Sequence, residues 1–120
     1  FSFYKNYLIA DIFPYLKNAK SLISTSLWED PGFTLIEAAF MNTTVISSDC
    51  PNGPKEILDN GNNGYIFKSN SYSGLEEKFN NFLTDSNKIK HLKKIKIKKF
   101  VKNFSIFNHF KDLRKNLNEN

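Results

Sequence analysis

Two glutamates eight positions apart, Glu29 and Glu37, bracket the part of this chain that could do chemistry, Ser26-Leu27-Trp28-Glu29-Asp30-Pro31-Gly32-Phe33-Thr34-Leu35-Ile36-Glu37. Carboxylates at such positions can accept hydrogen bonds from the vicinal hydroxyls of a ribose or a hexose. Between them, Pro31-Gly32 marks a turn, and the run from Thr34 reads as the start of a helix. A β-type run, Ser21 to Thr25, comes just before. In a parallel sheet, ligands bind at the C-terminal ends of the strands. A loop leaving a strand there would carry Glu29. Gly32 would let the backbone approach a ligand. The helix beginning near Thr34 would aim free N–H groups and a positive dipole end into the same crevice, where a diphosphate fits. The plain structural reading uses the same residues. Thr34-Leu35-Ile36-Glu37 matches a capping box, with Glu37 merely closing the helix N-terminus, and Glu29 can be a solvated loop acid. Spacing alone leaves both readings open.

The elements that must hold this segment alternate in type. A strand end is expected at 1–4, a short helix at 11–18 with Asp11 as N-cap, and a strand at 21–25. A helix at 34–41 and a strand at 43–47 follow. Pro54 reads as the first residue of a short helix through Leu58. Asn- and Gly-rich residues 59–64 form a turn, and 65–67 a strand. Helices are expected at about 71–84, 87–102 and 105–118, the last capped by Ser105. Strands alternating with helices across short Gly/Pro/Asn loops argue for βαβ units and an α/β fold with a partial Rossmann-like parallel sheet. Leu22, Ile23, Val45 and Ile46 are the expected strand core. Trp28 reads as packing rather than as a stacking platform.

With 120 residues and 40% apolar content, the chain can build one domain with a real core. It opens on Phe1, and its only methionine is Met41, so a missing N-terminal piece is expected. No apolar run approaches the ~20 residues of a membrane span, and no signal peptide is visible. The single Cys50 excludes an internal disulfide framework and reads as a small buried thiol. His91 and His109 have no metal-ligand spacing, so no metal site is expected. Localisation reads as cytoplasmic. Charge is uneven, with net −4 over residues 1–85 and net +9 over 86–120. Lys88, Lys90, Lys93, Lys94, Lys96, Lys98, Lys99 and Lys102 crowd one helix, with Ile89, Leu92, Ile95, Phe100 and Val101 as a partly apolar stripe. A solvated face is the simplest account. Peripheral contact with an anionic membrane, at the inner face, is the sharper one. No recognised nucleic-acid motif supports nucleic-acid binding.

The stretch from Lys17 to Phe67 resembles the C-terminal half of the second domain of GT-B-fold, retaining glycosyltransferases of the glycosyl transferases group 1 family, family 4 of the sequence classification. The resemblance rests on Glu29 and Glu37 as an acid, seven residues and an acid. It rests further on Glu37-Ala38-Ala39, Thr44-Val45-Ile46-Ser47, Asp49-Cys50-Pro51-Asn52-Gly53-Pro54-Lys55-Glu56-Ile57-Leu58, and the spaced Gly61 and Gly64. It implies transfer of a sugar from a nucleoside-diphosphate sugar to an acceptor, as in polysaccharide or glycolipid biosynthesis, without a metal cofactor. Glu29 then lies on the sugar side as the catalytic-position acid. Gly32, Phe33, Thr34 and Leu35 meet the donor through backbone amides, and Glu37 takes the ribose. It implies a nucleotide-sugar-binding unit over residues 1–103 and a helix at 104–120 packing across to a first domain. The family also uses an upstream Arg and Lys on the diphosphate. Lys5, Lys17 and Lys20 lie in the wrong context to match them, so the 120 residues alone are expected not to turn over substrate. A GT-B-fold sugar-nucleotide epimerase and a non-catalytic basic binding module are the alternatives.

Overall fold

The computed structural model describes residues 12–104. The strand end at 1–4, Ser105, His109 and the helix at 105–118 lie outside them.

Three strands, β1 (Ser21–Ser24), β2 (Thr44–Ser48) and β3 (Tyr65–Phe67), form a parallel sheet in the order β1-β2-β3. Leu22 pairs with Val45 and Ile23 with Ile46, and Ser47 pairs with Ile66. A parallel pair needs a crossover, and the chain provides helices. Helix α1 (Phe13–Asn18) precedes β1, and α2 (Phe33–Phe40) links β1 to β2. The short α3 (Pro54–Ile57) and a 3-10 turn (Asp59–Gly61) link β2 to β3. Helices α4 (Tyr72–Thr84) and α5 (Asn87–Val101) follow, ending in a 3-10 turn (Lys102–Phe104).

Every residue of the central strand β2 is buried. Its side chains alternate between two cores, as a strand covered on both faces requires. Val45 packs with Leu35, Ala38 and Ala39 of α2, Ile57 and Leu58 around α3, and Ile97 and Val101 of α5. Ile46 packs on the other face with Tyr65, Phe67 and Phe82 of α4. Burying a side chain such as Leu35 is worth about 1.5–3 kcal/mol. Ala38 and Ala39 are fully buried, and their small side chains suit the contact of α2 with the sheet. Ser71 and Ser86 cap α4 and α5, their hydroxyls accepting from the Gly74 and Ile89 amides.

Three expectations need correction. The N-cap of α1 is Ile12, which makes no side-chain cap bond; Pro14 does sit in the first turn. Ile23 is 43% exposed, because β1 is an edge of the described sheet and that residue's face lacks the cover β2 has. Lys93 is not part of a solvated lysine face. Its half-buried ammonium donates to the carbonyls of Gly61 (2.6 Å) and Gly64 (3.0 Å) and lies 4.9 Å from the Tyr65 ring centroid. Burial lowers its pKa, with Asp85 opposing that shift. No described helix is long and apolar enough to cross a membrane.

Candidate functional site

Because all three strands run the same way, their C-terminal ends deliver three loops to one edge. The loop from β1 carries Glu29 and leads to α2. The loop from β2 carries Asp49 through Gly53, and the chain leaving β3 carries Lys68 to Asn70. These loops are fastened to one another. The Ser48 hydroxyl donates to the Ser26 carbonyl (2.5 Å), and the Glu29 amide donates to the Pro51 carbonyl (3.3 Å). The Asp49 amide donates to the Phe67 carbonyl, and the Ser69 amide returns to Asp49 Oδ1, both at 2.7 Å. The closest approach is at Gly53. A Cβ there would stand 2.1 Å from the Pro31 carbonyl oxygen, and its φ of +135° is one that L side chains rarely adopt. Only glycine lets the second loop lie against the first at this point.

Glu29 is half-buried, and the Ser24 hydroxyl donates to its Oε1 at 3.4 Å. That hydroxyl also lies 3.2 Å from Ser26 Oγ. Three residues on, Gly32 has φ +90° and ψ +46° and forms the N-cap of α2 without a side-chain cap. Its carbonyl accepts from the amides of Leu35 (3.0 Å) and Ile36 (3.4 Å). The amides of Phe33 and Thr34, at the first two helical positions, have no intrahelical acceptor by geometry. Of the four backbone positions Gly32 to Leu35, only Leu35 has its N–H bonded within the helix, and it is a core residue at 0% exposure.

The helix begins at Phe33, so Thr34 is inside it rather than at its cap. Glu37 therefore falls in the second turn, and the first turn holds no acid. The capping-box reading of Thr34 to Glu37 is corrected by this geometry. Glu37 is half-buried, and no described residue donates to its carboxylate or pairs with it.

Two features of this edge carry no sequence signal. Asp49 is held in place by Ser69 on one oxygen and by the Lys55 ammonium, 3.7 Å from the other. The Ser69 backbone N–H is the main reason that its carboxyl titrates below the ordinary value. Partial desolvation opposes this, and Lys55 assists. The second feature is an exposed apolar rim of Leu27, Trp28 and Phe33, at 62%, 60% and 65% exposure. The packing expected of Trp28 is thus overturned. The Glu29 loop is tied down through its backbone and leaves these side chains in solvent. Cys50 is buried, as its type suggested. Among the described residues no cluster of His, Cys, Asp or Glu could hold a metal ion.

Known proteins resemble this chain in sequence and in fold. The chain is 48% identical over 46 residues to an uncharacterized glycosyltransferase of Methanocaldococcus jannaschii, covering 38% of this chain and 11% of that protein. It is 29% identical over 63 residues to the poly(ribitol-phosphate) alpha-N-acetylglucosaminyltransferase of Staphylococcus aureus, covering 52% and 13%. It is 30% identical over 76 residues to the lipopolysaccharide 1,6-galactosyltransferase of Salmonella typhimurium, covering 63% and 21%. The chain thus spans between 11% and 21% of the length of these relatives. Its fold matches the crystal structure of TarM with a TM-score of 0.68 at 23% identity, over 88% of this chain and 20% of that one. The family model for glycosyl transferases group 1 matches residues 3–99, which takes in the described sheet and both acid-bearing segments, and the chain belongs to that family.

Proposed function

We propose that this chain contributes part of the donor site of a retaining glycosyltransferase that moves a sugar from a nucleoside-diphosphate sugar to an acceptor. The observation that carries the reading is the α2 N-terminus. Gly32 opens the helix without a side-chain cap, and Glu37, one turn further, has a carboxylate with no described partner. A diphosphate laid against the Phe33 and Thr34 amides meets unpaired N–H groups and the positive end of the helix dipole. As the sugar leaves, negative charge grows on that diphosphate, so donors fixed in advance favour the transition state over the ground state. The fastened loops supply that fixity. In this reading no metal is required, because amides and dipole perform the neutralisation.

Glu29 takes the sugar side. Its loop is anchored at Pro51 and its carboxylate is oriented by Ser24, so it can accept hydrogen bonds from sugar hydroxyls. Glu37 takes the ribose hydroxyls. Leu35 acts indirectly, by closing the first turn onto Gly32. The acceptor would be held by residues outside the donor edge, across from a unit spanning 1–103. Peripheral membrane contact through α5 is part of the proposal, motivated by Ile89, Leu92 and Ile95 standing 42%, 46% and 50% exposed among its lysines.

The test is Glu37→Ala in the full-length polypeptide, with donor affinity measured by titration calorimetry. A carboxylate accepting two hydroxyl bonds contributes about 1.5–3 kcal/mol per bond. Loss of the pair, about 3 kcal/mol or more, should weaken binding by roughly a hundredfold or more. Unchanged donor affinity in a folded variant would sink the reading.

A further inference from the structure

The opposite end of the sheet holds a second cleft, of about 620 Å³. Lys20 leads into β1 there, and Asn42 and Thr44 stand at the start of β2. Helix α5 closes it with Asn87, Lys90, His91 and Lys94, one stripe at helical spacing. The cleft has four features that converge on one ligand chemistry. It gathers three lysines and a histidine, and no carboxylate lines it. None of the four is ion-paired within the described residues. The Lys90 ammonium is held at the wall, 4.9 Å from the centroid of the Phe82 ring, which also lines the space. Finally, Thr44 is 2% exposed, and its hydroxyl has no hydrogen-bond partner. Buried hydroxyls are normally satisfied, so this one marks a place where a partner belongs. The Asn42 and Asn87 amides add neutral donors.

A cleft rich in donors and cations and lacking a counter-charge suits a compact oxyanion with several acceptor oxygens. We propose that it binds a phosphate group, carried by a soluble phosphoester or by the headgroup of an anionic lipid. The site is independent of the donor edge, since the strands place the two at opposite ends of the sheet. The lipid source has a structural partner in Ile89, Leu92 and Ile95, which lie exposed on the same helix.

The experiment follows backbone amide resonances of the full-length polypeptide during titration with inorganic phosphate, with chloride at matched ionic strength as the control. Saturating shifts at Asn42, Thr44 and His91 are expected. The variant Lys20→Gln/Lys94→Gln should weaken them about tenfold or more, leaving the Phe33 and Thr34 amides unaffected. Lys20→Gln alone, an exposed site outside any helix, serves if the double variant loses its dispersed spectrum. Sedimentation with phosphatidylglycerol vesicles, against phosphatidylcholine vesicles, separates the sources. Selective vesicle binding that the variant loses assigns a lipid headgroup, and phosphate saturation without vesicle binding assigns a soluble ligand. Phosphate shifts no larger than those from chloride, together with no selective vesicle binding, would overturn the proposal. So would a folded variant that binds as the parent does.

Discussion

Gly53→Ala tests whether the candidate site depends on the close seating of one loop against another. The added Cβ would meet the Pro31 carbonyl oxygen at 2.1 Å, with the carbonyl carbon at 2.9 Å. An ordinary C···O contact is about 3.3–3.6 Å, so the loops must part by more than about 1 Å. The obstacle is backbone, so no side-chain rotation relieves it. Holding alanine at φ +135° adds about 1–3 kcal/mol of strain, and the forced separation adds about 1–3 kcal/mol more. With a urea slope of about 1–2 kcal/mol/M for a small domain, the unfolding midpoint should fall by at least about 1 M. On the donor-site reading, moving the Pro31-Gly32 segment by that distance should cost roughly a hundredfold in turnover of the complete enzyme. Gly61→Ala supplies the control. Its φ is also positive, at +102°, but its Cβ would meet only Ile66 Cγ2 at 3.5 Å. It should show backbone strain alone, with donor binding intact. If the two variants destabilise equally and both keep donor affinity, the seating of Gly53 on Pro31 does not organise this edge.

Asp49→Asn should reduce the acid sensitivity of the fold. The folded pKa lies below the ordinary carboxyl value of 3.8, so the carboxylate's contribution is present above that value and disappears as pH falls through the folded pKa. Urea midpoints measured between pH 5 and 2 should therefore fall less steeply in the variant. Tyr65→Phe removes the 2.7 Å bond from its hydroxyl to Asp85 Oδ2 and should cost about 1–2 kcal/mol by denaturant titration. In the parent protein, burial first and Asp85 second raise the Tyr65 phenol well above its ordinary value of 10.0. The stability it supplies is full below that value and is lost at higher pH. Ultraviolet titration should show one tyrosine ionising later than the others, and its absence would contradict the Tyr65–Asp85 pairing.

Local chemistry made much of the fold legible. Tyr65-Ile66-Phe67 stands where alternation and the preceding Asn/Gly turn put it, and Pro54 opens α3 because a first-turn proline lacks only an amide that needs no partner. The alternation of strand and helix is itself the signal of a parallel sheet, and the three described strands pair that way. What remained hidden depends on residues far apart in sequence. Threonine suits a cap position, but Gly32 in a left-handed conformation starts the helix earlier. Ile23 has the composition of a core strand residue, yet edge position decides its exposure. No spacing rule connects Ser48 to Ser26 or Asp49 to Ser69, since each bond joins segments about twenty residues apart that only the sheet brings together.

Those bonds also separate acids that the sequence presents as equals. Asp49, Glu29 and Glu37 all lie on the loops or helix leaving the C-terminal edge. Asp49 spends both oxygens on architecture, one on the Ser69 amide and one toward Lys55. A carboxylate so engaged holds β2 and β3 in register at the rim and has little capacity left for a ligand. Glu29 has a single hydroxyl donor at the long distance of 3.4 Å, and Glu37 has none among the described residues. On the donor-site reading, half-buried carboxylates with open acceptor positions can accept hydrogen bonds from a polyhydroxyl ligand. The eight-residue spacing therefore matters less as a motif than as a consequence. It is the span needed to leave β1, pass Gly32 and complete one turn of α2. That path puts two uncommitted acids on either side of a helix N-terminus that has no side-chain cap.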